Sequence, residues 1–115
     1  MSKQHAKFTG AGAIEAQIQS SLGIDYNVYE VRLHLSTGGA ATGAEPVTLS
    51  LLSSGSTSSV FNCVIESTAI TGAQNYYYRP TIPLHFKHND KFRVAWANDA
   101  SSYKTYGLEI VWDYF

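Results

Sequence analysis

The side chains that could carry catalysis or hold a metal are few in this 115-residue chain. His85 and His88 are three residues apart and Asp90 is two further on, a spacing that would form a ligand face on a helix. The segment is predicted as a strand running into a turn, so we expect the two imidazoles to point to opposite sides and bind no metal. Single scattered carboxylates form no acid–base pair, and no serine lies in a nucleophile elbow. The sequence therefore predicts a non-enzymatic protein with no catalytic residues, metal or cofactor.

The chain has one cysteine, Cys63, which cannot form an intrachain disulfide. It lies in an apolar alternating run from Val60 to Ile65, where a small thiol packs well inside a core. We therefore expect Cys63 to be buried and inert.

Aromatic residues are abundant, with eight tyrosines and two tryptophans. Trp96 and Trp112 are in phase with apolar residues of their own segments, which predicts core positions. The consecutive rings of Tyr76–Tyr78 cannot all face one side of an extended segment, so at least one should point outward. Arg79 beside them adds a planar donor that is enriched at interfaces. A contact with a partner, core packing with polar tips in water, and carbohydrate binding all remain open for this segment.

The elements that position these side chains are short segments in which apolar and polar residues alternate. In the clearest of them, residues 25–35, Val31, Leu33 and Leu35 face one side, and Arg32 and His34 face the other. Turn residues separate seven or eight such segments, and no stretch has the period of a helix. We predict an all-β fold, an antiparallel two-sheet sandwich of the jelly-roll or a related Greek-key type with seven or eight strands. The last segment, from about Tyr103 to the end, is expected to lie inside a sheet.

Two parts of the chain are predicted to differ in organisation. Residues 1–10 are polar and basic, with Phe8 as their only sizeable apolar side chain, and are interpreted as an N-terminal arm. Residues 11–115 are predicted to form a single β-sandwich domain. The arm is expected to order on a neighbouring molecule by burying Phe8 and pairing Lys3 and Lys7 with acidic groups.

Charge and composition exclude several classes of function. Eight basic and nine acidic side chains give a net charge of −1, which offers nucleic acid or an anionic membrane no basic surface. No apolar run approaches the roughly 20 residues that span a bilayer, and the N-terminus lacks a signal-peptide core, so we expect synthesis in the cytoplasm. Charged residues are only 15% of the chain, whereas 22 residues are serine or threonine. Such a surface suits a protein that is packed in an assembly.

Several strings of the chain resemble, in order, a family of small structural proteins encoded by tailed bacteriophages and prophages. They are Val31–Ser36, the alanine- and glycine-rich loop after it, Val47–Leu49, Pro83–Leu84, Asp90–Asn98 and Thr105–Ile110. The resemblance covers roughly residues 11–112 and is strongest over the last 30. The chain departs from the family pattern at Tyr76–Tyr78 and in its longer basic arm.

The resemblance implies a virion structural protein, in the first place a capsid decoration or cement protein that binds and stabilises the shell of a tailed phage. Its partners would be the major capsid protein or another virion protein, and further copies of itself, with a trimer favoured. The alternatives are a head-to-tail, tail or fibre component of the virion, and a carbohydrate-binding module. The candidate assembly contacts are Lys3, Lys7, Phe8, Tyr76, Tyr77, Tyr78 and Arg79.

Overall fold

The computed structural model describes residues 3–37, 39–43, 45–53, 62–98 and 103–114. These residues form nine β-strands in two antiparallel sheets packed face to face, which confirms the predicted all-β sandwich. The number exceeds the predicted seven or eight because residues 4–10, interpreted as an arm, also form a strand. The strands are β1 (Gln4–Gly10), β2 (Ile14–Ile18), β3 (Tyr26–Thr37), β4 (Pro46–Leu52), β5 (Cys63–Ala69), β6 (Asn75–Tyr78), β7 (Leu84–Phe86), β8 (Lys91–Trp96) and β9 (Thr105–Tyr114). None of the described residues belongs to a helix that could cross a membrane.

The two sheets have different widths. One has five strands, in the order β1, β9, β3, β6, with β7 also paired to β3. The other has four, in the order β2, β8, β4, β5. The twelve-residue β3 is long enough to pair with β6 at one end and β7 at the other. β9 lies between β1 and β3, which confirms that the last segment is inside a sheet.

The core is built by the inward-facing half of each alternating strand. Val31, Leu33 and Leu35 of β3 are buried as their alternation predicts, and the same holds on β2, β4, β8 and β9. Trp96 is buried as predicted. Trp112, near the end of β9, is only partly buried and packs against the core through an edge contact with Tyr26.

Residues 4–10 of the segment interpreted as an N-terminal arm form strand β1. All seven residues from Gln4 to Gly10 pair with β9 of the same chain, so the protein's own sheet orders them. Ala6 and Phe8 pack against the core, and the pairing supplies hydrogen bonds along the whole strand. The alternation was inconspicuous in the sequence because Phe8 is the one large apolar side chain facing inward.

The expectation of a buried Cys63 is wrong. Cys63 is exposed at the start of β5, an edge strand of the four-stranded sheet. The register between β4 and β5 shifts at Leu49/Ser50, next to this end of β5. An edge strand with a register irregularity leaves part of its side chains in water even where its sequence alternates. Val60 and Phe61, which suggested an apolar run, lie outside the described residues.

Candidate functional site

An open groove of about 630 Å³ crosses the outer face of the five-stranded sheet. Strands β1, β9, β3 and β6 contribute to it in that order. Their registers place the outward-facing side chains in two rows. One row is Lys7, Glu109, Arg32 and Tyr77, and the other is Thr9, Gly107, His34 and Asn75. We call this feature the Gly107 groove.

Gly107 forms the hollow of the groove because it has no side chain. It is exposed in the interior of β9, and a Cβ atom added there would meet no heavy atom within 4 Å. On one side Thr9 is held by a 2.9 Å hydrogen bond from its Oγ1 to the carbonyl of Tyr106. On the other side His34 and Asn75 are 2.6 Å apart, Nδ1 to Oδ1. The flanking polar groups are therefore fixed, and the space over Gly107 is open.

Tyr77 forms the aromatic wall of the groove and is 55% exposed. Its hydroxyl donates a 2.9 Å hydrogen bond to Oε1 of Glu30, which limits the motion of the ring. Partial burial disfavours the carboxylate of Glu30, but hydrogen bonds from Tyr77 and Arg32 outweigh it, so the pKa of Glu30 lies below its ordinary value. Glu30 is therefore ionised at neutral pH, and its carboxylate accepts the hydrogen bond from the Tyr77 hydroxyl throughout the neutral range.

The ionic groups at the rim of the groove compensate one another. Arg32 is hydrogen-bonded to Glu30, and its Nη1 is 3.6 Å from Oε1 of Glu109. His5 contacts the same carboxylate of Glu109. Lys7 lies opposite Glu109 in the register of β1 and β9. Arg32 and Lys7, with the imidazole of His5 beside them, thus lie next to the carboxylates of Glu30 and Glu109 across this part of the sheet.

Four of the seven predicted contact residues line this groove: Lys7, Phe8, Tyr76 and Tyr77. Phe8 also packs against the core, and Tyr76 is buried between the sheets, where burial raises its pKa to about 12. Tyr77 is the outward-facing ring of the three consecutive tyrosines, as the alternation predicted.

The other three predicted contacts lie away from the groove. Nζ of Lys3 stands 4.6 Å from the ring centroid of Tyr29, a cation–π geometry. Tyr78 is partly buried against the core. Arg79 is exposed, with its Nε 3.9 Å from Oε1 of Glu30.

The prediction that His85 and His88 point to opposite sides is wrong, because both approach the carboxylate of Asp25. Nε2 of His85 is 3.5 Å from Oδ2, and Nδ1 of His88 is 3.4 Å from Oδ1. The turn after β7, closed by a 3.0 Å hydrogen bond from Asp90 N to the carbonyl of Lys87, bends the chain around Asp25. The described residues contain no group of three or more His, Cys, Asp or Glu arranged to hold a metal.

Asp25 ties this turn to the start of β3. Its Oδ1 accepts a 2.9 Å hydrogen bond from the backbone N–H of His88, and Nζ of Lys87 is 3.5 Å from Oδ2. Desolvation opposes the charge, but the bonds from His88 and the nearby ammonium of Lys87 outweigh it and hold the pKa of Asp25 below its ordinary value. These contacts therefore hold the turn after β7 against the start of β3, which is a structural role.

The groove residues Thr9, His34, Asn75 and Gly107 were not singled out by the sequence. The signal that could have found them is a glycine inside a strand pattern, between Tyr106 and Leu108, which often marks a place where a ligand or another backbone approaches closely. Which residues flank such a glycine depends on strand pairing, which is not local information. Chemically, the groove offers an open aromatic ring and fixed donors and acceptors, an arrangement suited to binding.

Comparison with known proteins finds that no family model and no curated protein matches the chain. Among solved structures, a chain of "Structure of infectious bursal disease virus Gx strain" is similar at a TM-score of 0.37 and 8% sequence identity. The match covers 95% of this chain and 32% of that one, so this chain spans about a third of its length. A likeness at this level assigns neither a family nor a function.

Proposed function

We propose that the protein is a non-enzymatic structural component of a tailed-phage virion that attaches to the outside of the capsid shell and stabilises it. The collinear resemblance to small phage structural proteins supports this proposal. Its longest strings fall on strands at the centre of the two sheets, with Val31–Ser36 in β3, Asp90–Asn98 spanning β8 and Thr105–Ile110 in β9. The resemblance is thus borne by the segments that build the sandwich.

The observation that carries the proposal is the character of the outer face of the four-stranded sheet. The registers of β8, β4 and β5 place Ala95, Thr48 and Ser67 in one row across this face. In the next row Ser50, which is buried, stands between Arg93 of β8 and Val64 of β5, which is 61% exposed. Arg93 is ion-paired with Glu15 of β2, so the uncharged part of this face is its β4–β5 side together with Ala95. Small uncharged side chains let a flat protein surface approach closely without the desolvation of ionic groups. We call these residues the small-residue face.

The proposed contact lies on the β4–β5 side of the small-residue face, because the Arg93–Glu15 ion pair of this sheet lies on β8 and β2, away from the β5 edge. Lys7 and Tyr77 belong to the opposite sheet. Each contact with the shell is modest in area. Repetition by the symmetry of the shell, and association with further copies of the chain, would add the contacts through avidity. The function in this proposal is mechanical reinforcement, which requires binding and no chemical step.

The test uses particles from a host that carries the gene. Tail-less heads and isolated tails are separated, and the chain is quantified in each by mass spectrometry, for the natural sequence, Ser67→Lys and Ser36→Lys. Ser67 and Ser36 are both exposed strand serines, but only Ser67 is on the small-residue face. We expect the natural chain and Ser36→Lys in tail-less heads and Ser67→Lys released from them. Absence of the natural chain from tail-less heads would contradict decoration, and its presence in tails alone would support the tail component.

A further inference from the structure

The Gly107 groove combines an open aromatic ring, fixed polar groups and balanced charge, and its chemistry is independent of the shell contact proposed above. We propose that this groove is a binding site for a neutral saccharide, with one pyranose ring stacked on Tyr77 and a further ring of the same ligand over Gly107. The proposal rests on the groove alone and does not require the protein to be part of a virion.

The size of the groove fits a ligand of more than one sugar ring. Its volume of about 630 Å³ lies within the range of roughly 300–1,000 Å³ usual for ligand sites. It extends over four neighbouring strands, which are spaced by about 4.8 Å. The missing side chain at Gly107 leaves the floor low enough for a ring to lie across the sheet, since nothing stands within 4 Å of a Cβ built there.

Tyr77 supplies the surface that a sugar ring needs. A pyranose has an apolar face of C–H groups, and the quadrupole of an aromatic face attracts such positively polarised hydrogens. The ring of Tyr77 is more than half exposed, and its hydroxyl is anchored on Glu30. A ring that is already held in place loses little conformational entropy when a ligand stacks on it.

The polar residues around Gly107 supply both donors and acceptors for hydroxyl groups. Oδ1 of Asn75 is 2.6 Å from Nδ1 of His34, which leaves the NH₂ group of Asn75 as a donor toward the groove. The hydroxyl of Thr9 donates to the carbonyl of Tyr106, so its oxygen is an acceptor. The hydroxyl of Thr9 lies across the groove on β1. Sugar hydroxyls both donate and accept, so a mixed set of this kind suits them better than it suits a purely anionic or cationic group.

Charge balance favours a neutral ligand. Arg32 is bonded to Glu30 and lies near Glu109, which also faces Lys7 in the β1–β9 register. A charged ligand would have to compete with these internal partners, whereas a neutral one leaves them in place. The site is therefore assigned to neutral sugars and not to uronic acids or phosphorylated glycans.

The experiment measures backbone amide chemical shifts of the full chain titrated with neutral hexasaccharides of glucose, mannose, galactose or N-acetylglucosamine, and with oligogalacturonate as the acidic probe. We expect at least one neutral probe to shift the amides of Thr9, His34, Tyr77 and Gly107. Tyr77→Ala should weaken that binding at least about tenfold, equivalent to about 1.4 kcal/mol. Tyr77→Phe, which keeps the ring, should weaken it less.

A second pair of variants tests the groove without removing the aromatic ring. Gly107→Val places two methyl groups in the open hollow and should also reduce affinity at least about tenfold, equivalent to about 1.4 kcal/mol. Gly12→Val is the matched control, because Gly12 also has free space around a Cβ and lies outside the groove. It should bind as the natural chain does. Thermal melting of each variant verifies folding.

Three results would overturn the assignment: no shift of groove amides with any neutral probe, binding of oligogalacturonate alone, or undiminished binding by a folded Gly107→Val variant. None of these results bears on whether the chain is found in phage heads. The saccharide site and the proposed shell attachment can therefore fail separately.

Discussion

Tyr26 joins the two sheets at one end of the core, and its hydroxyl makes the perturbation Tyr26→Phe informative. The side chain is fully buried. Its hydroxyl lies 2.7 Å from the carbonyl of Asp90 and 3.3 Å from that of Ile18, so it holds the β7–β8 turn to the end of β2. Its ring stacks on Phe86 at 5.3 Å and meets Trp112 edge-on at 5.8 Å. Phenylalanine keeps the ring contacts and removes only the hydroxyl.

The expected loss for Tyr26→Phe is about 2 kcal/mol in the free energy of unfolding. One net hydrogen bond contributes about 0.5–1.5 kcal/mol, and carbonyl groups left without their donor in a buried site add about 1 kcal/mol or more. In a domain of this size that loss lowers the melting temperature by about 6–12 °C. Tyr26→Ala, which also deletes the ring, should lose about 3–5 kcal/mol.

The assay is urea unfolding followed by tryptophan fluorescence, with Tyr77→Phe as the matched control. The hydroxyl of Tyr77 bonds to Glu30 at the exposed surface, so its removal should change the free energy of unfolding by less than about 0.5 kcal/mol. Equal effects of the two substitutions would refute the assignment of Tyr26 as a buried link between the sheets.

The same side chain has a consequence at alkaline pH. Burial, together with the nearby charge of Asp90, raises the pKa of Tyr26 well above the ordinary value of 10.0. The folded state therefore keeps the proton while the unfolded chain loses it, so the stability contributed by this group is complete below about pH 10 and falls as the pH rises further. In Tyr26→Phe the free energy of unfolding should fall less as the pH rises above about 10 than it does in the natural chain. An equal fall in the two chains would contradict the raised pKa of Tyr26.

Three further substitutions test other parts of the account. Asn98→Ala should lower the free energy of unfolding by about 2–3 kcal/mol, because the buried Asn98 amide is hydrogen-bonded to the backbone of Gly12 and Lys104. Asn98→Gly should lower it less, because glycine tolerates the φ of 64° at this position. Trp112→Ala should lose about 2–3 kcal/mol in urea unfolding, less than for a fully buried ring, and a loss below about 1 kcal/mol would place the ring in solvent. Asp25→Asn should lower the melting temperature at pH 7. Since the pKa of Asp25 is depressed, the natural chain should lose this advantage as the pH falls below about 4. A difference in melting temperature between the two chains that persists in acid would contradict the ionic contribution.

The sequence was sufficient for the sandwich because alternation is a local property. Val31, Leu33 and Leu35 are buried on one side of β3 as their spacing required, and Trp96 is buried on β8. Tyr77 points outward for the same reason. Positions such as these depend on the period of two and on nothing farther along the chain.

The features that the sequence could not supply depend on which strands become neighbours. β1 was interpreted as an arm because only its pairing with β9 makes it a strand. Cys63 was expected in the core because its neighbours in sequence are apolar. Its edge position and the shifted register, which expose it, follow from the order of strands in the sheet and cannot be derived from those neighbours. His85 and His88 meet at Asp25, about 60 residues earlier in the chain, which no local spacing reveals.

The candidate site was recoverable only in part. The sequence singled out Lys7 and the run of three tyrosines separately, and Lys7, Tyr76 and Tyr77 line the Gly107 groove. The partners His34 and Asn75 come from strands joined only by the β3–β6 pairing. A glycine inside a strand was the clue that local sequence did contain, and its meaning required the neighbouring strands.

The proposed attachment of this chain to a phage shell is tested by an image reconstruction of native particles with and without the gene. We expect an extra sandwich-sized density repeated over the outer shell of the particles that contain the chain, with the four-stranded sheet toward the shell. Particles whose shells are identical with and without the gene would contradict it.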